Sequence, residues 1–169
     1  MVFDAGTRLS QKLPTHFILN KTSLLPHITV YQAHFPVENM EKVKREIRAV
    51  GATQQPFTVD MHGYAVAYDT FVFWDCVKSE KLENLQSAII ARVNNLREGL
   101  VLPVLKTMTN LSEEDKKDAQ MYGSLLIGER FRPHITITRL KNGSEAKQAA
   151  LILGQTQLFW FFINWRTVQ

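Results

Sequence analysis

The chain contains Pro26-His27-Ile28-Thr29-Val30 and, late in the sequence, Pro133-His134-Ile135-Thr136-Ile137, two near-copies of one unit. At ordinary residue frequencies a His-apolar-Thr-apolar run arises by accident in roughly 3% of chains this long, and a pair in well under ~0.1%, so chance is a poor explanation. In an extended strand alternate side chains share a face, so His27 lies with Thr29 and Ile28 with Val30, and the second copy repeats the arrangement. Each copy presents an imidazole beside a hydroxyl while its apolar face is buried, which holds the polar pair more rigidly than a loop does. A lone copy needs no more than a half-buried strand whose histidine is satisfied by a carbonyl. Two copies point instead to a pair of imidazoles, one neutral and one protonated, dividing the work of general base and general acid. The paired threonines, Thr29 and Thr136, are then placed to donate hydrogen bonds to an anion between them.

The two motifs, the Phe131-Arg132-Pro133-His134 lead-in and the Arg139 that follows resemble the 2H phosphoesterase superfamily, the group of bacterial 2'-5' RNA ligase-like proteins and cyclic nucleotide phosphodiesterases. That resemblance implies a two-lobed fold spanning most of the chain. It also matches Arg139 to an arginine common after the second motif, where it would reach a phosphate. Strict alternation puts Arg139 on the face opposite His134, so this role requires a bulge or the strand's end. Superfamily members usually begin with a clear strand and continue beyond the last one. The short ends of this chain therefore predict missing or atypical edge strands.

Length and composition fit one soluble domain over 1–169, with 45% hydrophobic and 21% charged residues. Twenty basic against sixteen acidic side chains favour an anionic ligand without marking a nucleic-acid groove. The one cysteine, Cys76, cannot form an internal disulfide, and its apolar setting predicts a buried filler rather than a nucleophile. The N-terminus lacks a basic region followed by an apolar run, which predicts a cytoplasmic protein without a secretory leader. The longest C-terminal apolar stretch, Leu158 to Ile163, is far below the ~20 residues of a membrane helix. A monomer with no membrane association and no obligate protein partner is expected.

Along the chain, His16 to Leu19 reads as a short strand and the first motif strand begins near His27. Met40, Val43, Ile47 and Val50 keep helical spacing over 37–50, with Gly51 as a stop. Phe57–Met61, Tyr64–Tyr68 and Thr70–Val77 read as antiparallel strands separated by turns at His62-Gly63 and Asp69. Ser79 caps a helix whose apolar face is Leu82, Leu85, Ile89, Val93 and Leu96, ended by Gly99. Ser112-Glu113-Glu114-Asp115 reads as a capped helix start rather than a metal site, its acids facing the helix's positive end. A strand from His134 to Leu140, a turn at Asn142-Gly143, a helix capped by Ser144 and running through Leu153 and a last strand from Gln157 to Ile163 complete the order. Strand, loop, helix and strand follow both motifs in turn. The expected fold is α+β, internally duplicated, with two antiparallel sheets facing a central cleft and helices outside, one domain made of two pseudo-symmetric lobes.

The chemistry expected is hydrolysis of a nucleotide or RNA-end phosphodiester, a 2',3'-cyclic phosphate or 2'-5' linkage. His27 and His134 are the catalytic residues, and Thr29 and Thr136 hold the nonbridging oxygens. Reverse 2'-5' RNA ligation uses the same acid and base. No cofactor is needed, and no metal, since neither motif offers a second ligand at metal-binding spacing. Tyr31 continues the His27-Thr29 face and is a candidate to stack on a base. Tyr122, read as part of a loop before the second motif, is a candidate to close over the ligand. His16, His34 and His62 lack the following threonine and are expected at the surface or in turns. A non-catalytic module that binds an RNA end or nucleotide is the alternative from another class.

Overall fold

Val2, Ala5 and Leu9 recur at three- and four-residue spacing and are buried, and Val2–Ser10 forms helix α1. The computed structural model describes residues 2–154 and the backbone of 160–163. Helix α2, Met40–Thr53, follows a 3-10 turn at Val37–Asn39 and buries Val43 and Val50, leaving Met40 and Ile47 partly exposed. It passes the expected stop at Gly51. The backbone becomes extended at Gln54 instead, just ahead of Gln55-Pro56, where a helical residue before proline is disfavoured.

The two strands expected on either side of His62-Gly63 are one, β1, Phe57–Ala67. Its register against β2, Phe71–Cys76, shifts between the Met61↔Cys76 and Tyr64↔Trp74 pairs. His62 and Gly63 therefore form a bulge, not a turn, a position where a strand glycine is at home. The Ser79 hydroxyl accepts from the Leu82 N–H (3.4 Å) and opens helix α3, Glu80–Val93, which buries Leu82, Leu85, Ile89 and Val93 as its spacing predicts. A 3-10 turn at Asn94–Arg97 follows, ended by left-handed Glu98 and Gly99.

Helix α4 is Pro103–Thr107, and α5, Glu113–Tyr122, starts with a reciprocal capping box between Ser112 and Asp115. The Arg130 guanidinium pairs with both Asp115 and Asp118. Hydrogen bonds from the Ser112 hydroxyl and backbone, then Arg130, hold the Asp115 carboxyl below its ordinary pKa. After β3, His134–Arg139, comes a 3-10 turn at Gly143–Glu145 and helix α6, Ala146–Leu153. Ser144 lies within that turn rather than capping α6, whose N-cap position is taken by Glu145. Strand β4, Trp160–Ile163, is the end of the expected last strand, whose residues 157–159 lie outside the described ones.

The described residues divide into two compact units, one of residues 2–29, 58–77, 133–154 and 160–162, the other of 30–57, 78–132 and 163. In the first, the sheet has the order β3-β2-β1-β4, with β1/β2 and β2/β3 antiparallel, and α1 packs on β3 and α6. Leu9, Val72, Trp74, Ile137, Leu140 and Leu153 are among its most deeply buried side chains. In the second, α2 packs on α3.

The class is α+β, but one sheet per motif is not what the described residues form. They contain a single sheet, and the first motif is not a strand. Ile28 makes one isolated antiparallel bridge to Ile135, and Thr15 another to Leu140. The His16–Leu19 strand is likewise absent, reduced to that Thr15 bridge. Between the bridges the Asn20 side-chain oxygen accepts from the N–H groups of Thr22, Ser23 and Leu24, which curls the chain away from an extended ladder. Pro26 then removes a donor immediately before the motif.

Cys76 is buried, its Sγ 3.5 Å from Met61 Sδ, and burial followed by the Asp75 charge pushes its thiol up to about 12. Its thiolate is thus scarce in the folded state. A thiol reagent at pH ~8 is expected to leave the native protein unlabelled and to label it fully once unfolded in denaturant. Rapid stoichiometric labelling of native protein would contradict this packing.

Candidate active site

Strand β3 lies between β2 and the first motif, and its register sorts the side chains. Asp75 stands opposite His134, Phe73 opposite Thr136 and Phe71 opposite Arg139. Residues directly opposite in an antiparallel pair share a face, and Phe71, Phe73 and Asp75 share one by alternation. His134, Thr136 and Arg139 therefore all lie on that face. The strict-alternation objection to Arg139 is removed by a register shift between the Phe73↔Thr136 and Val72↔Thr138 pairs, which leaves Ile137 as the extra residue of a bulge. Ring contacts agree: the His134 imidazole stacks on Phe73 (centroids 3.7 Å, interplanar 24°), and the Arg139 guanidinium lies 5.0 Å from the Phe71 centroid.

The other face is core. Val72, Trp74, Ile135 and Thr138 are buried there, and the Thr138 hydroxyl donates to the Phe17 carbonyl. This anchoring fixes the half-buried His134 and Thr136 from behind.

The Ile28–Ile135 bridge adds the first motif to the other edge of β3. Because the bridge is antiparallel, residue 27 lies toward 136 and residue 29 toward 134 along the chain. His27 and Thr29 are exposed. His27 Nδ1 is 2.9 Å from the Leu25 carbonyl oxygen. A carbonyl only accepts, so the neutral ring carries its proton on Nδ1 and leaves the Nε2 lone pair free.

A family model described as the 2'-5' RNA ligase superfamily matches residues 20–167, which include both motifs and everything between them. The chain belongs to this superfamily, the 2H phosphoesterases. Membership carries a phosphoesterase- or ligase-type enzyme class and RNA or nucleotide substrates in the coarse sense. No curated protein matches the chain. Among the described residues no helix is long and apolar enough to cross a membrane.

Of the residues singled out in this 2H chain, His27, Thr29, His134, Thr136 and Arg139 come together in the first unit. Tyr31 and Tyr122 belong to the second unit, where they meet each other. The Tyr31 hydroxyl lies 2.7 Å from the Tyr122 carbonyl and 2.9 Å from Asn94 Oδ1, sharing its proton between two acceptors. Burial raises the pKa of that phenol, with the Arg97 charge and hydrogen bond opposing. The half-buried ring is thus a tether. Tyr122 is the last residue of α5 rather than part of a loop, because Gly123 in the left-handed conformation ends the helix after it. His16, His34 and His62 are exposed. Phe73 and Asp75 were legible only as strand formers. The signal that identifies them is the alternation Phe71, Phe73, Asp75, which places an acid at the end of an otherwise aromatic face.

Proposed function

We propose that this 2H protein is a metal-independent phosphodiesterase acting on a nucleotide or RNA-end phosphodiester, a 2',3'-cyclic phosphate or a 2'-5' linkage. The observation that carries the reading is the Ile28–Ile135 bridge, which sets the two motifs side by side, His27 and Thr29 flanking one bridge residue and His134 and Thr136 the other. In this reading the phosphate lies over the sheet face of His134 and Thr136, with its nonbridging oxygens accepting hydrogen bonds from Thr29 and Thr136. Arg139, on the same face, adds positive charge.

His27 suits the general base, since its Nδ1 is engaged by Leu25 and Nε2 retains a lone pair. His134, opposite Asp75 in the strand register, takes the other role, that of general acid. Water attacks phosphorus as His27 Nε2 takes its proton. The opposite P–O bond breaks in line, and the departing ribose oxygen takes a proton from His134. The products are a phosphate monoester and a free ribose hydroxyl. The two histidines then exchange protons with solvent to restore the starting state. With a 5'-hydroxyl in place of water, the same groups join a 2'-5' linkage: His27 takes the hydroxyl's proton as its oxygen attacks a 2',3'-cyclic phosphate, the P–O3' bond breaks, and His134 protonates the departing 3'-oxygen.

Every proton in this scheme is carried by a side chain, so a chelator has nothing to remove. Turnover of the best substrate from a panel of 2',3'-cyclic mononucleotides, 2'-5' dinucleotides and cyclic-phosphate RNA is expected to stay within about twofold after exhaustive EDTA treatment. Activity that returns only on adding a divalent ion sinks this mechanism. Binding without turnover anywhere in the panel supports the non-catalytic binding module instead.

A further inference from the structure

The hairpin between β1 and β2 turns at Tyr68 and Asp69, and both have left-handed backbones (φ 48 and 61). Turns of that hand favour Asn, Asp and Gly, and a bulky aromatic residue at positive φ is an outlier. Such strain persists only where the surroundings impose it. Here the Leu140 N–H donates to the Thr70 carbonyl (2.8 Å), and a Cβ added at Gly143 would lie 3.2 Å from Asp69 Cβ, so the strand end is bonded to the hairpin and the following turn passes close beside it.

The strained residue is also the exposed one. Tyr68 is 72% exposed, yet its ring makes T-shaped contacts with Phe71 and Phe73, with centroids 6.4 Å apart in both cases. Phe73 in turn stacks on His134. An aromatic row thus runs from the second-motif imidazole to an open phenol ring at the hairpin tip. Ala65 and Ala67, opposite Phe73 and Phe71 on the same face, keep the neighbouring strand low beside it. Tyr68 gains little for the core in this position, and an Asn would suit the turn better.

We propose that Tyr68 is a stacking platform for the nucleobase of the substrate, so that the site selects nucleosidic phosphodiesters over base-free ones while tolerating any base. This rests on the phosphodiester reading above and narrows its substrate class. Stacking fits the geometry because every base has a π-face and the Tyr68 ring, though in contact with the aromatic row, is largely open to solvent.

The test is direct titration, which needs no turnover, using 2',3'-cyclic AMP and the base-free 1-O-methyl ribose 2',3'-cyclic phosphate on wild type, Tyr68→Phe and Tyr68→Asn. Wild type is expected to bind the nucleotide roughly ten- to a hundredfold more tightly than the base-free ester. Tyr68→Phe should keep that preference. Tyr68→Asn should abolish it by weakening only the nucleotide, while its melting temperature stays at or above the wild-type value because Asn relieves the turn. A wild type that binds both ligands equally or neither, or a Tyr68→Asn that retains the preference or weakens both ligands alike, overturns the platform. Failure of the catalytic reading shows separately, as absence of hydrolysis in a protein that still prefers the nucleotide.

Discussion

His27→Ala and His134→Ala are each expected to slow hydrolysis of the best phosphodiester substrate by roughly 10² to 10⁴. In the proposed mechanism each removes one end of a proton path: without His27 the attacking water keeps its proton, and without His134 the ribose oxygen departs as an alkoxide. Neither substitution disturbs the core face, since Ile28 still bridges Ile135 and Val72, Trp74 and Thr138 remain buried behind β3. The double variant should be little slower than the worse single one, because groups that act as a unit in one transition state are not additive. Strictly multiplicative losses would mean that the two histidines act in separate steps.

Arg97→Met is expected to cost about 3 kcal/mol of stability, because three carbonyls lose a charged donor in a buried site. Arg97 is 3% exposed, and its guanidinium bonds the carbonyls of Leu100, Gln120 (2.9 Å) and Met121 (3.0 Å) and, through Nε, Asn94 Oδ1 (3.2 Å). Two of those carbonyls belong to the last turn of α5, where helix carbonyls lack intrahelical partners and a positive charge complements the dipole. A Cβ at Gly123 would come within 2.7 Å of Arg97 Cδ, so the chain is closed tightly around this side chain. Met fills the space and satisfies nothing. The melting temperature should fall by roughly 6 to 12 °C, and a change of under ~2 °C would show that water replaces the guanidinium without cost.

Both motifs were legible in the sequence because their repetition is a chemical pattern, and the amphipathic face of α3 because Leu82, Leu85, Ile89 and Val93 all reach the core. What alternation could not reveal is pairing. His27-Ile28-Thr29 reads as a strand by period alone, yet whether a segment makes a ladder or a single bridge depends on a partner far away, here Ile135, and on the Asn20 turn before it. The bulge at Ile137, which puts Arg139 on the His134 face, is likewise set by the register against Val72 and Phe73 and leaves no local mark. His62-Gly63 did leave one, but a glycine between apolar runs signals a turn and a bulge equally. Tyr31 and Tyr122 were placed by face and loop position, whereas their hydrogen bond to each other depends on where α5 ends.

The most direct test of the division of labour, histidines for proton transfer and threonines for binding, is titration of the His27→Ala/His134→Ala double variant with the best substrate, turnover being followed in the same sample. Affinity within about fivefold of wild type is expected together with loss of measurable hydrolysis, since in the proposed arrangement Thr29 and Thr136 still hold the phosphate. Hydrolysis that persists in the double variant, or binding that disappears with it, would contradict that division.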